Sequence, residues 1–297
     1  DIPPEKRLVR IVEDYPAHDW FKTVLVMVHT SAGDIFLGDT DQYAAVGTTA
    51  HDGWPGLFLD SGTMGTIRAS SGAMRDGTED HYTLHLSASG DVMLTKQRRF
   101  FGMEYARFHK TISEKTPQER DRHFQELVFS LAKDAEPEGD YFTDYDSYPG
   151  VEEFTVRITS FAPGQDQYLS LELPGLKQTV RGAEADTRNN PLVRERPLRE
   201  RVMVEVSLPQ GVNSVVVLPP EHISMSLATS GMLTQQTYLN HLVEGPEKTT
   251  SPDSLVVMRE IDLSPGVVMP GDYGDLLELQ GILMHPGNRV LLLNMNR

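Results

Sequence analysis

The side chains best suited to chemistry sit near the amino terminus, where His29 is followed by Asp34, Asp39 and Asp41. A histidine oriented by a carboxylate is the usual general-base unit, so His29 with Asp34 or Asp39 has the composition of a catalytic dyad. His29, Asp39 and Asp41 also have the composition of a metal-dependent hydrolase site. No hydroxyl nucleophile with a positioning motif accompanies them, and core or turn roles are expected instead. The chain contains no cysteine, which excludes a thiol nucleophile, thiolate metal sites and disulfides together.

Other candidates dissolve on spacing. His81 and His85 lie four apart, which suits a metal on a helix. On a strand rising about 3.3 Å per residue they stand about 13 Å apart and cannot share one zinc ion. The acidic run Asp134, Glu136, Glu138, Asp140, Asp144 and Asp146 lacks the spacing and central glycine of a calcium loop and reads as a solvated linker. No phosphate-cradling glycine loop, no His-Glu-x-x-His and no Gly-x-Ser-x-Gly elbow is present. No cofactor and no metal are therefore expected.

A net charge of -16 disfavours tracking a phosphate backbone. The local exception, Arg194, Arg196, Arg199 and Arg201, is interleaved with Glu195, Pro197 and Glu200 and has no aromatic platform, so nucleic acid is not expected as a partner. The longest apolar runs, Val24 to Val28 and Val290 to Leu293, are far shorter than the roughly 20 residues of a membrane helix. Asp1-Ile-Pro-Pro-Glu-Lys has neither a charged leader nor an apolar stretch, so an export signal was removed or never belonged to this piece.

The elements that must position these residues are mostly strands. Val24-Leu-Val-Met-Val28 and Ile35-Phe-Leu37 flank Ser31-Ala-Gly-Asp34 as a hairpin, and Gly38 to Arg68, including His51-Asp-Gly-Trp-Pro-Gly56, reads as loop with short extended pieces. Tyr82, Leu84 and Leu86 alternate with polar residues, Ser87 to Asp91 turns, and Val92 to Thr95 returns. Thr116-Pro-Gln-Glu119 is a capping box, and Phe124, Leu127, Val128 and Leu131 give the following helix its apolar stripe, up to about Pro137. Beyond Tyr141 come Phe154 to Ile158, Tyr168 to Leu173, Val202 to Val206, Val215 to Leu218, Leu255 to Met258 and Val290 to Leu293, a pattern of antiparallel packed sheets. The expected fold is α+β and β-rich.

The segment Tyr15-Pro-Ala-His-Asp-Trp-Phe21-Lys-Thr23, the hairpin, and Phe36-Leu-Gly-Asp39-Thr-Asp-Gln-Tyr43 resemble the latter half of the bacterial transglutaminase-like core. Gly102 to Arg107, Arg196-Pro-Leu198, Leu208-Pro-Gln-Gly211 and Pro270-Gly-Asp-Tyr273 continue the resemblance into the β-rich domain of unknown function that follows such cores. The resemblance implies residues 1–60 as a partial core, 61–140 as a hairpin-plus-helix segment and 141–297 as an antiparallel β-sandwich domain. It also implies a Cys-His-Asp triad that is damaged here: Asp39 holds the Asp position as a vestige, Thr23 stands where the His is expected, and the Cys has no counterpart.

The function this implies is a non-catalytic binding or structural module, a pseudoenzyme of the periplasm, cell envelope or extracellular space. Its partner would be a protein or peptide, including the amino-terminal half of the same precursor. The alternative is one chain of a cleaved transglutaminase-like cysteine peptidase or acyltransferase whose Cys lies on a partner chain.

Overall fold

Alternation over residues 77–86 puts Tyr82, Leu84 and Leu86 on one face of a strand, and the larger core forms on that face. The structure, a computed structural model, describes residues 23–296 apart from 32, 184–186, 195, 228–230 and 245–248. The segment from Tyr15 to Lys22 and the single positions Ala32 and Glu195, invoked above, lie outside the described residues.

The chain opens with the expected hairpin, β1 (Val26–Thr30) and β2 (Gly33–Leu37). A second small ladder, β3 (Pro55–Phe58) with β4 (Thr63–Thr66), supplies short extended pieces within the 38–68 stretch, read as loop with such pieces. Next comes the longer hairpin, β5 (Gly77–Leu86) and β6 (Val92–Phe101), whose turn is organised by Ser87, Ser89 and Asp91. Helix α1 (Gly102–Ser113) follows at once, then α2 (Pro117–Leu131), whose capping box Thr116/Glu119 is fully formed. Helix α2 stops at Leu131, short of the expected Pro137, because Ala132 is already extended and β7 (Glu136–Pro137) pairs with a later strand.

The remaining elements are β8 (Phe142–Asp144), β9 (Gly150–Ile158), β10 (Gly164–Gln165), β11 (Tyr168–Glu172), β12 (Leu192–Arg194), β13 (Leu198–Ser207), β14 (Val212–Val217), β15 (His222–Leu227), β16 (Gly231–Glu244), β17 (Thr249–Leu263), β18 (Gly266–Val268), helix α3 (Tyr273–Met284) and β19 (Val290–Met295). They build a β-rich α+β fold around a nine-stranded sheet ordered β15-β16-β17-β13-β5-β6-β9-β7, with β8 also on β9. Its ladders are antiparallel except β13 on β5. A parallel ladder needs a long crossover, which α1, α2 and the strands up to β12 provide. Thus β5 and β6 share one sheet with β9 and β13 from beyond residue 141.

A four-stranded sheet, β10-β11-β19-β14, and helix α2 cover one face of the large sheet. Leu84, Leu94, Leu171 and Leu293 are fully enclosed between the layers, each stabilising the sandwich by about 1.5–3 kcal/mol. A second core gathers Leu233, Ile261 and Leu263 of the large sheet under Tyr273, Leu276, Leu279 and Leu283 of α3. Among the described residues no helix is long and apolar enough to cross a membrane.

Candidate functional site

Asp39 follows β2 at a point where the backbone must turn sharply. Gly38 adopts φ 107°, and a Cβ there would lie 3.3 Å from the Val24 carbonyl, so the chain entering β1 runs beside the Asp39 position. The Asp39 side chain is completely shut off from solvent. Its Oδ2 accepts from Thr49 Oγ1 at 2.5 Å, from the Ala50 N–H at 2.8 Å and from His51 Nδ1 at 3.1 Å. Thr49 Oγ1 accepts in turn from the His51 N–H at 3.2 Å. Asp39 Oδ1 has no hydrogen-bond partner among the described residues.

This arrangement pins the 49–51 turn to the end of β2. It also builds a His–Asp dyad that the sequence did not announce, because His51 lies twelve residues after Asp39, inside a Gly- and Asp-rich loop. Donation from Nδ1 to the carboxylate selects the tautomer that leaves His51 Nε2 as an acceptor, and the imidazole is about one-third exposed. Thr23, expected at the triad His position, is exposed ahead of β1, and Asp39 takes its partners from residues 49–51.

His29 is the residue the hairpin moves away from Asp39. It pairs across the strands with Asp34, Nδ1 to Oδ1 at 2.7 Å, on an exposed surface. Asp41 accepts the Tyr43 N–H at 3.0 Å and shapes a turn. The metal-site reading of His29, Asp39 and Asp41 is overturned on these grounds, and among the described residues no group of three His, Asp or Glu is placed to hold a metal ion. His81 and His85 lie on strand β5, as their alternation required.

The dyad rests on a platform tied to the large sheet. Asp52, buried beside it in sequence, accepts the Ala69 N–H at 2.9 Å and Arg75 Nε at 3.1 Å, and the Arg75 guanidinium forks onto both oxygens of Asp262 on β17. Tyr43 donates to Glu114 at 2.9 Å and packs edge-on against His109 of α1. The basic cluster is similarly engaged: Arg194 donates to the Ser264 carbonyl, Arg199 to the Gly72 carbonyl, and Arg201 to Glu79 and Glu260.

A cleft of about 240 Å³ opens near the start of α1, lined by Asp76, Thr78, Arg98, Glu104, Arg199 and Glu200. Burial pushes the Asp76 carboxyl up to about 6 and raises Glu200 as well. Both carboxylates have structural partners. Asp76 Oδ1 accepts the Met103 N–H at 2.5 Å, and Gln178 Nε2 donates to Glu200 at 2.6 Å. Arg98 is held by Asp80 through two bonds of 2.5 Å. The cleft is therefore explained by the packing of a helix start on the sheet, whereas His51 Nε2 has no hydrogen-bond partner among the described residues.

No family model matches the chain, and no curated protein matches it. Among solved structures it is similar to a protein of Parabacteroides distasonis provisionally described as a protease, at 16% identity and a TM-score of 0.43, over 91% of this chain and 35% of that one. The chain spans about a third of the length of that protein.

Proposed function

We propose that this chain is a non-catalytic binding module of an exported transglutaminase-like protein, and that its β1–β2 hairpin receives a protein or peptide segment. The observation that carries this is the hairpin's apolar face. Val26 lies opposite Leu37 and Val28 opposite Ile35, and Val24, Val26, Val28 and Leu37 are 81%, 60%, 40% and 43% exposed. A two-stranded ribbon is marginal alone, and an apolar face of this kind marks an interaction surface. Among the described residues neither outer edge of the ribbon pairs with a further strand, so each is able to take an added one. The occupant this chemistry selects is an extended segment alternating apolar and polar residues, such as a strand of the other half of the same precursor.

Two features support the absence of catalysis: the missing cysteine and the use of Asp39 Oδ2 to hold a turn. Binding of a panel of alternating apolar peptides tests the reading, with Val26→Asp expected to weaken it at least tenfold while the large sheet stays folded. Turnover of glutamine- and amine-donor or peptide substrates by the isolated chain, or binding indifferent to Val26→Asp, would sink it.

A second reading is favoured by His51 alone. A His–Asp pair with an open Nε2 is the base half of a Cys-His-Asp site, which fits a cleaved cysteine peptidase or acyltransferase whose nucleophile lies on a partner chain. In such a two-chain assembly His51→Ala would abolish turnover; full activity of that variant would end the second reading.

A further inference from the structure

The β1–β2 hairpin stands in an acidic surround. Residues 23–69 hold five aspartates, and Arg68 is their one Lys or Arg. Two of the five are engaged inside: Asp39 holds the 49–51 turn, and Asp52 is matched by Arg75. Asp34, Asp41 and Asp60 are exposed. Asp41 and Asp60 each accept one backbone N–H, from Tyr43 and Ser61, and among the described residues neither has a cation beside it.

Asp34 lies on β2 itself. Its Oδ1 is bonded to His29 across the ribbon, its Oδ2 has no hydrogen bond among the described residues, and half of its side chain is exposed. Period two along β2 puts Ile35 and Leu37 on the apolar face, across from Val28 and Val26. Asp34 falls on the other face with Phe36, which packs edge-on against Phe58. Among the described residues β2 pairs with β1 alone, so a strand laid along its outer edge continues this pleat. Residues opposite Ile35 and Leu37 then join the apolar face. The residue opposite Asp34 comes beside its carboxylate, at the roughly 4.5–5.5 Å of cross-strand neighbours, where an opposite charge stabilises and a like charge repels. Strand β1 carries no acid, and its His29 is turned to Asp34, so charge distinguishes the two edges.

We propose that the segment received by the hairpin is cationic: it adds along the outer edge of β2, sets apolar side chains opposite Ile35 and Leu37, and places a Lys or Arg opposite Asp34. This rests on the hairpin reading above and names the edge used and the charge of the occupant. Asp41 and Asp60 add to the local negative potential, and the net charge of -16 draws a basic segment toward the chain and turns an acidic one away. The apolar face supplies the affinity and the aspartates select the partner.

The test is fluorescence anisotropy of the full chain with three labelled peptides that share one apolar alternation and carry Lys, Gln or Glu at every polar position. The Lys peptide is expected to bind about tenfold more tightly than the Glu peptide at low salt, with the gap closing at high salt. Asp34→Asn is expected to weaken the Lys peptide about threefold and to leave the Gln peptide unchanged. Equal binding of the three peptides, or preference for Glu, would overturn the cationic occupant while the hairpin reading stood. A Lys preference untouched by Asp34→Asn would overturn the β2 edge. Failure of all three to bind, or binding indifferent to Val26→Asp, would overturn the inference and the hairpin reading together. Sedimentation of the chain alone supplies a further arm: self-association abolished by Val26→Asp would make the occupant a second copy of this acidic chain and overturn the cationic one.

Discussion

Asp76 gives the protein a dependence on pH that can be read from its surroundings. Burial is the larger influence and raises its carboxyl from 3.8 to about 6, against the opposing Met103 N–H bond. The folded chain therefore holds a proton that the unfolded chain has released, and stability falls as pH rises from about 3.8 to about 6, by at most about 3 kcal/mol. Asp76→Asn keeps an oxygen for Met103 and removes the charge. It is expected to be about 1–3 kcal/mol more stable than the parent at pH 8, with the advantage lost at pH 4, as read by urea midpoints. Equal or lower stability at pH 8 would show that the charged bond to the helix start outweighs burial. Arg259 makes the opposite case. It is 1% exposed and has no carboxylate partner among the described residues, donating instead to Gln235 Oε1 and to the carbonyls of Leu176 and Asn288. Arg259→Met is expected to cost about 3 kcal/mol, because buried Gln235 Oε1 and the Leu176 carbonyl lose their donors at once while the Asn288 carbonyl keeps Gln235 Nε2; a urea midpoint within error of wild type would refute this.

Elements were legible where a local rule decides them. Thr116 and Glu119 announced α2, period-two alternation announced β5, its turn announced the return of β6, and short apolar runs between turns announced β9 and β13. Helix α1 was read as a Gly-and-Arg segment because its starting cap is not local: Phe101 offers no cap, and Asp76, 27 residues before Met103, accepts that N–H. Helix α3 was hidden because Leu276, Leu277, Leu279, Ile282 and Leu283 surround it with apolar side chains and blur the helical period. His51 was missed for a similar reason, since only the folded loop brings it to Asp39. Gly102 tests the account of α1. It sits at φ 57°, and a Cβ would fall 2.5 Å from both the backbone nitrogen and Oδ1 of Asp76. Gly102→Ala is expected to cost about 3 kcal/mol, combining left-handed strain with overlap against backbone, and to reduce helical circular dichroism. A variant with unchanged stability would show that β6 and α1 can separate from residue 76.

At the scale of the whole molecule, the question is how the stretch bearing Asp39 and His51 is held to the large sheet, since its own ladders are two-stranded. Arg75 is a principal tie, joining buried Asp52 to Asp262 on β17, which lies 187 residues beyond Arg75 in sequence. Tyr43, which packs against His109 of α1 and donates to Glu114 just past its end, is a second, weaker one. The large sheet owes its stability to the sandwich and α3 cores, neither of which includes residues 39–69. Arg75→Met should therefore act locally. It leaves Asp52 buried with only the Ala69 N–H, a cost of about 3 kcal/mol falling on the 39–69 stretch. Amide hydrogen exchange is expected to quicken there while β5, β6, β9 and β13 keep their protection. Arg75→Lys, which keeps charge without the fork, is expected to lie between the variant and the parent. If protection falls equally in the central strands, the stretch and the sheet unfold as one unit, and the Asp39–His51 dyad is then part of the core's cooperative fold rather than an appended platform.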